Sequence, residues 1–213
     1  MNLHHITRPS SLKQNAPLLI MCHGYGSDEN DLFSFAQELP EELFIISLRA
    51  PHPMQPHGNA WYAINFDAQQ NKWNDVEQAI NSRDNIARFI DDACTKYPVD
   101  SKNVTLLGFS QGTILSYAVS LSYPEKVKNI IALSGYVSED MLKNNLESKA
   151  YSHLDFYCSH GSVDQVIPVD WARKAPKFLE NLDIKHQYSE FPVGHGVAPQ
   201  NFYELKTWLE KRI

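Results

Sequence analysis

Along most of the chain, short uninterrupted apolar runs alternate with longer stretches in which apolar residues return every third or fourth position. The runs cover residues 18–22, 43–48, 104–107, 130–133 and 154–159. Apolar runs of this length without polar alternation predict strands buried on both faces. Residues 184–191 alternate instead, which predicts a strand with one wetter face, and residues 2–7 predict a short edge strand. Helical spacing covers 30–39, through Leu32, Phe33, Phe35, Ala36 and Leu39, and then 74–97. In the second, Asn74 and Glu77 are spaced as a capping box, and Pro98 is the stop. Further helices are expected over 113–122, as a short polar helix over 139–146, and over 169–182, where Pro176 should bend the helix or end it early. The last begins at Pro199 and turns Phe202, Leu205, Trp208 and Leu209 inward. Strands and helices alternating in this way imply an α/β fold with a mainly parallel twisted sheet and helices on both faces. With no linker, repeat or low-complexity stretch, residues 1–213 are expected to form a single domain.

Residues 50–73 break the pattern. They hold Pro51, Pro53, Pro56 and Gly58 together with Trp61, Tyr62, Phe66 and Trp73, and no period fits them. A connection of this length in a compact fold is often functional, although its aromatics also serve to pin a loop to the body.

Composition narrows the function. The 213 residues are 43% hydrophobic and 21% charged, with a net charge of −6, and no clustered basic run offers contacts to phosphates. Nucleic acid is therefore not an expected partner. No apolar stretch approaches a membrane span, so stable membrane insertion is not expected, and the first residues lack the apolar segment of a secretory signal. Cys22, Cys94 and Cys158 are odd in number and form no Cys-x-x-Cys, which predicts free thiols in the cytoplasm. No metal-ligand spacing, dinucleotide fingerprint or phosphate loop is present, so neither a metal nor a cofactor is expected. The oligomeric state is not legible.

In a parallel sheet the chemistry sits just beyond the carboxyl ends of the strands. Gly108-Phe109-Ser110-Gln111-Gly112 lies between a predicted strand and a predicted helix, the setting of a nucleophile elbow. A serine hydroxyl attacks only when a base stands beside it. Further on, Asp164 and His195 also follow predicted strands, in the order Ser, Asp, His. His195 would take the proton of Ser110, and Asp164 would fix the imidazole and stabilise its charged form. His23, at the end of the first buried run, is the competing histidine. Asp155, Asp170 and Asp183 are the competing carboxylates, but they fall within a strand, in a helix and at a helix exit. An oxyanion would be met by the backbone N–H of Gln111 and, from the turn His23-Gly24-Tyr25-Gly26, by that of Tyr25.

These residues resemble the carboxylesterase and lysophospholipase family that includes the acyl-protein thioesterases. The likeness runs from Leu18 to the last helix. Its markers are His23-Gly24-Tyr25-Gly26, Arg49-Ala50-Pro51, Trp61-Tyr62, the elbow, Leu133-Ser134-Gly135, His160-Gly161 with Asp164 and Val166-Ile167-Pro168, and Gly194-His195-Gly196. The resemblance implies an α/β-hydrolase without a large lid domain. It implies a triad of Ser110, Asp164 and His195, with Tyr25 and Gln111 as oxyanion donors. The implied activity is hydrolysis of short- to medium-chain carboxylic esters, with lysophospholipids or acyl-protein thioesters as alternative substrates. A peptidase or a catalytically silent binding protein on the same fold is the more distant alternative. Trp61, Tyr62 and Val166 are the candidate substrate contacts. Residues 52–66 would form one wall of an acyl groove, with Trp61 against the substrate or directly behind it. Thr113, Tyr25 and Tyr62 stand where the family often has glycine, leucine and phenylalanine.

Overall fold

The apolar runs become the strands of a seven-stranded sheet in a computed structural model, which describes residues 2–66, 72–144, 146 and 150–213. The first strands are β1 (His5–Arg8), β2 (Ala16–Cys22) and β3 (Phe44–Leu48). Four short strands follow: β4 (His52–Pro53), β5 (Asn59–Ala60), β6 (Ile64–Phe66) and β7 (Lys72–Asn74). The later strands are β8 (Val99–Phe109), β9 (Asn129–Leu133), β10 (Asp155–Gly161) and β11 (Lys185–Phe191). The sheet order is β1-β3-β2-β8-β9-β10-β11, with β1 antiparallel at one edge and the other pairings parallel. The order reverses between β2 and β8, so a crevice opens at their carboxyl ends.

The unbroken apolar runs exist because both sheet faces are covered. Along β2, Leu18, Ile20 and Cys22 enter one core while Leu19 and Met21 enter the other. The same division recurs in β9, where Ile130 and Ala132 face one way and Ile131 and Leu133 the other. The first core lies under α2 (Val76–Lys96) and α3 (Gln111–Ser122). The second lies under α1 (Asn30–Phe33) and α6 (Pro199–Glu210). α3 is buried on every side, as its weak amphipathicity requires.

The departures from the sequence pattern have local causes. The expected helix over 30–39 is α-helical only to Phe33 and continues as a 3-10 turn, Ser34–Gln37. The Ser34 hydroxyl bonds back to the Asp31 carbonyl at 2.7 Å, and such back-bonding loosens a helix. α2 is capped by Asp75, which accepts from the Gln78 N–H at 3.0 Å, and not by Asn74. Asn74 belongs to β7, and its amide donates to the Tyr136 hydroxyl at 3.2 Å. The helix expected over 169–182 is two helices, α4 (Val169–Ala172) and α5 (Lys174–Asn181). The break falls one turn ahead of Pro176, whose ring crowds the carbonyl of Ala172 and which has no N–H to bond it. The short polar helix expected over 139–146 is one 3-10 turn, Glu139–Met141; part of that expectation, 145, lies outside the described residues. None of the described helices is long and apolar enough to cross a membrane.

Candidate active site

Ser110 sits between β8 and α3 with φ +54° and ψ −116°, a conformation costly for any residue with a Cβ. The surrounding backbone is close enough to enforce it. A Cβ on Gly108 would lie 2.4 Å from the Gly112 carbonyl oxygen, and one on Gly112 would lie 2.0 Å from that of Cys22. Only glycine fits at either end of the turn. The Ser110 N–H is anchored to the Leu133 carbonyl at 2.9 Å. Thr113, at a position where glycine is common in the resembling family, bonds the Gly108 and Leu133 carbonyls through its hydroxyl at 2.7 and 2.6 Å. Its methyl group takes the space that a Cβ on Gly135 would need, 2.5 Å away, so the two positions compensate.

Three loops bring the predicted polar residues together. His195 Nε2 lies 2.8 Å from Ser110 Oγ, and His195 Nδ1 lies 2.7 Å from Asp164 Oδ2. The carboxylate can only accept, so Nδ1 carries the proton and Nε2 is free to accept from the hydroxyl. Asp164 Oδ1 takes the N–H groups of Val166 and Ile167 at 2.8 and 3.0 Å. Burial raises the Asp164 pKa, but the bonds from His195, Ile167 and Val166 outweigh it and hold the carboxyl below its usual range. Phe109 backs the His195 ring at a centroid distance of 5.0 Å. Two of the three competing carboxylates are engaged elsewhere: Asp155 pairs with Arg212 and Lys185, and Asp170 with Arg173.

His23, the competing histidine, is turned away from Ser110. Its Nδ1 lies 2.7 Å from the Gly24 carbonyl and its Nε2 accepts the Ala50 N–H at 3.0 Å, which fixes one neutral tautomer. Burial lowers its pKa, against the opposing pull of the Gly24 carbonyl and of Asp31, Asp28 and Glu29. The bond orients the Gly24–Tyr25 peptide, whose N–H points opposite to the carbonyl. Gly24 abuts the candidate nucleophile, since a Cβ there would stand 3.3 Å from Ser110 Cβ. Among the described residues, neither the Tyr25 N–H nor the Gln111 N–H finds a protein acceptor. The Gln111 side chain is used differently. Its Oε1 accepts the Trp61 N–H at 2.7 Å and its Nε2 donates to the Tyr62 carbonyl at 2.8 Å.

A cavity of about 460 Å³ opens beside Ser110 and His195. Tyr62 and Ile114 are buried at its base, while Tyr25, Trp73, Val166 and Trp171 form an exposed apolar rim. Tyr136 meets Trp171 edge-on at 5.1 Å. Tyr62 and Val166, two of the candidate substrate contacts, line this cavity. Trp61 does not line the cavity: it is fully buried behind the wall, with its indole N–H on the His23 carbonyl at 2.9 Å and its own carbonyl taking the Ser82 hydroxyl at 2.5 Å. Ile64, within the 52–66 segment expected to form one wall, also lines the cavity, while the sequence reading missed Trp73, Ile114, Tyr136 and Trp171. Tyr136 could have been found as an aromatic shortly after a predicted parallel strand, the rule that picked out Ser110 and Asp164, whereas Trp171 lies in the helix that follows the Asp164 loop. Among the described residues, no group of three or more His, Cys, Asp or Glu is placed to hold a metal ion.

Known proteins carry the same architecture. The chain superposes on a Bacillus cereus carboxylesterase with a TM-score of 0.86, covering 100% of this chain and 95% of that one at 18% identity. Against Zea mays acyl-protein thioesterase 2 the TM-score is 0.80, over 98% of each chain at 19% identity. In sequence, it is 26% identical over 230 residues to acyl-protein thioesterase 1 of Aspergillus fumigatus, covering 95% of this chain and 90% of that protein. A family model described as Phospholipase/Carboxylesterase matches residues 3–213, so the strained serine turn, the loops that meet it and nearly the whole chain around them belong to the phospholipase/carboxylesterase family of α/β-hydrolases.

Proposed function

We propose that this ester hydrolase cleaves carboxylic esters of short- and medium-chain acids through an acyl-enzyme on Ser110. The observation that carries the reading is the continuous hydrogen-bonded array from Ser110 Oγ through His195 to Asp164, at 2.8 and 2.7 Å, opening on an apolar cavity. His195 Nε2 takes the hydroxyl proton as Ser110 Oγ attacks the ester carbonyl. The tetrahedral oxyanion forms in front of the Tyr25 and Gln111 N–H groups, which have no competing acceptor among the described residues. The intermediate collapses, His195 gives the proton to the departing alkoxide, and the acyl group remains on Ser110. Water, deprotonated by the same nitrogen, then releases the acid. Asp164 holds the Nδ1 proton and stabilises the imidazolium in both halves.

The cavity favours an acyl group without charge. His195 is the lone titratable side chain besides tyrosine among its described lining residues, so no Lys or Arg is there to pair with a phosphodiester. That favours an ester of an uncharged alcohol over a lysophospholipid. A thioester is the second reading, because the sequence relative from Aspergillus fumigatus is named an acyl-protein thioesterase. The three free cysteines, two of them buried, fit the cytoplasm.

Matched substrates test the proposal. Nitrophenyl acetate, butyrate, octanoate and palmitate, the thioester analogues and an anilide would be compared by kcat/KM. Turnover strongest at butyrate or octanoate is expected, with a graded fall on either side and little anilide cleavage. Steps of roughly 10- to 200-fold per methylene are the most an apolar pocket gives. A preference for the anilide or for palmitate would contradict the reading.

A further inference from the structure

The imidazole of His160, at the end of β10, is wholly buried, and the proposed proton transfer does not use it. Its Nε2 lies 2.9 Å from the Ile167 carbonyl oxygen and 3.3 Å from Asp164 Oδ2. The Ile167 carbonyl can only accept, so Nε2 carries the proton and donates it there, with Asp164 Oδ2 as a close electrostatic neighbour. Nδ1 is buried with no hydrogen-bond partner among the described residues. Asp164 Oδ2 is the same oxygen that receives the His195 Nδ1 proton. The Ile167 carbonyl, in turn, belongs to the residue whose N–H bonds Asp164 Oδ1. His160 therefore closes a ring around the carboxylate, touching one oxygen directly and holding the turn that binds the other.

We propose that His160 is a positioning residue: by holding the Ile167 carbonyl it fixes the turn that binds Asp164 against His195, and its N–H, whose nitrogen lies 3.3 Å from Oδ2, offsets part of the carboxylate's field at His195. The proposal rests on the reading of Ser110, His195 and Asp164 as the reacting groups. Removing the N–H would leave the field of the Asp164 carboxylate less offset and favour the protonated form of His195. The other charged group in register is Glu190 on β11, directly opposite His160, and it is already held by Arg173 and the Tyr188 hydroxyl. Neighbouring β9 faces the end of β10 with Leu133, which does not titrate.

Two substitutions at this position separate positioning from simple packing. His160→Gln places an amide N–H near the position of Nε2, whereas His160→Phe keeps a ring without a donor. His160→Leu repeats the comparison if the larger ring blocks folding. With a chromogenic ester, the donor-free variant is expected to lose kcat roughly 3- to 10-fold, the scale of one hydrogen bond, with KM little changed. The acid limb of its kcat/KM profile should move to higher pH, and His160→Gln should restore most of kcat and return the limb. A folded donor-free variant with native kcat and an unmoved limb would overturn the proposal, as would a glutamine variant as impaired as the phenylalanine one. If no donor-free variant folds, the glutamine variant decides by the same two readings. Full activity in Ser110→Ala would instead overturn the underlying assignment of Ser110 and is read separately.

Discussion

The Gln111 side chain is clamped between the backbones of Trp61 and Tyr62, accepting from the Trp61 N–H at 2.7 Å and donating to the Tyr62 carbonyl at 2.8 Å. The residue that follows Ser110 thus ties the strained turn to the irregular segment after β3. Both partners are buried backbone groups, and an unpaired buried group costs about 1–3 kcal/mol. Gln111→Ala is expected to destabilise the fold by roughly 2–5 kcal/mol, since two such groups are stranded and a void is left. Urea unfolding measures this, and a loss near zero would contradict the clamp.

Trp61 and Trp73 lie in the same segment and should behave oppositely. Trp61 is fully buried, so Trp61→Ala is expected to cost about 3–5 kcal/mol and to leave the acyl-length profile of the surviving folded protein unchanged. Trp73 is half exposed on the cavity rim, so Trp73→Ala should change the profile while costing less than about 1 kcal/mol. The reverse pattern would return Trp61 to the acyl wall.

The turn at Ser110 leaves no room for a methyl group at its C-terminal end. Gly112→Ala is expected to destabilise by about 3 kcal/mol or more and to abolish turnover, because the new Cβ would sit 2.0 Å from the Cys22 carbonyl oxygen. At Gly194, beside His195, a Cβ meets nothing within 4 Å, so Gly194→Ala should fold normally. Equal stability of the two variants by thermal melting would contradict this description of the turn.

Acidification should weaken the fold through His23. Burial lowers its pKa in the folded chain, so below about 6.5, where a free imidazole charges, the unfolded chain binds the extra proton. Stability is full above that value and declines as the pH falls from it toward the folded value. Asp164 is depressed too, and its contribution persists until the pH drops below about 4. The urea midpoint should therefore fall between about pH 7.5 and about pH 5, and His23→Gln should flatten that slope. A midpoint constant over this range in the native protein would contradict a buried neutral His23.

The strands were legible because both faces of a parallel sheet demand the same thing of a sequence. At 18–22 and 130–133, alternating residues enter two different cores, and each must be apolar. The glycines, Ser110, Asp164 and His195 were legible because the ends of such strands were. Caps and breaks were not. Asn74 and Asp75 both offer a capping side chain three residues before Glu77 or Gln78, and a contact with Tyr136 in a distant loop decides between them. The groove was the least legible part. Trp73, Tyr136 and Trp171 come from three separate connections, and nothing in their local spacing says that they meet. Trp61 was left between two places for the same reason, since an aromatic in a long loop reads alike whether it faces a ligand or stands behind the wall.

Peptide mapping after reaction with a fluorophosphonate tests the central claim most directly. If His195 activates Ser110, the native protein should carry one adduct, on Ser110. Ser110→Ala should take up none and should lose roughly 10⁴-fold or more in kcat, by the scale of other serine triads. Labelling or ester turnover by Ser110→Ala at the native rate would contradict it.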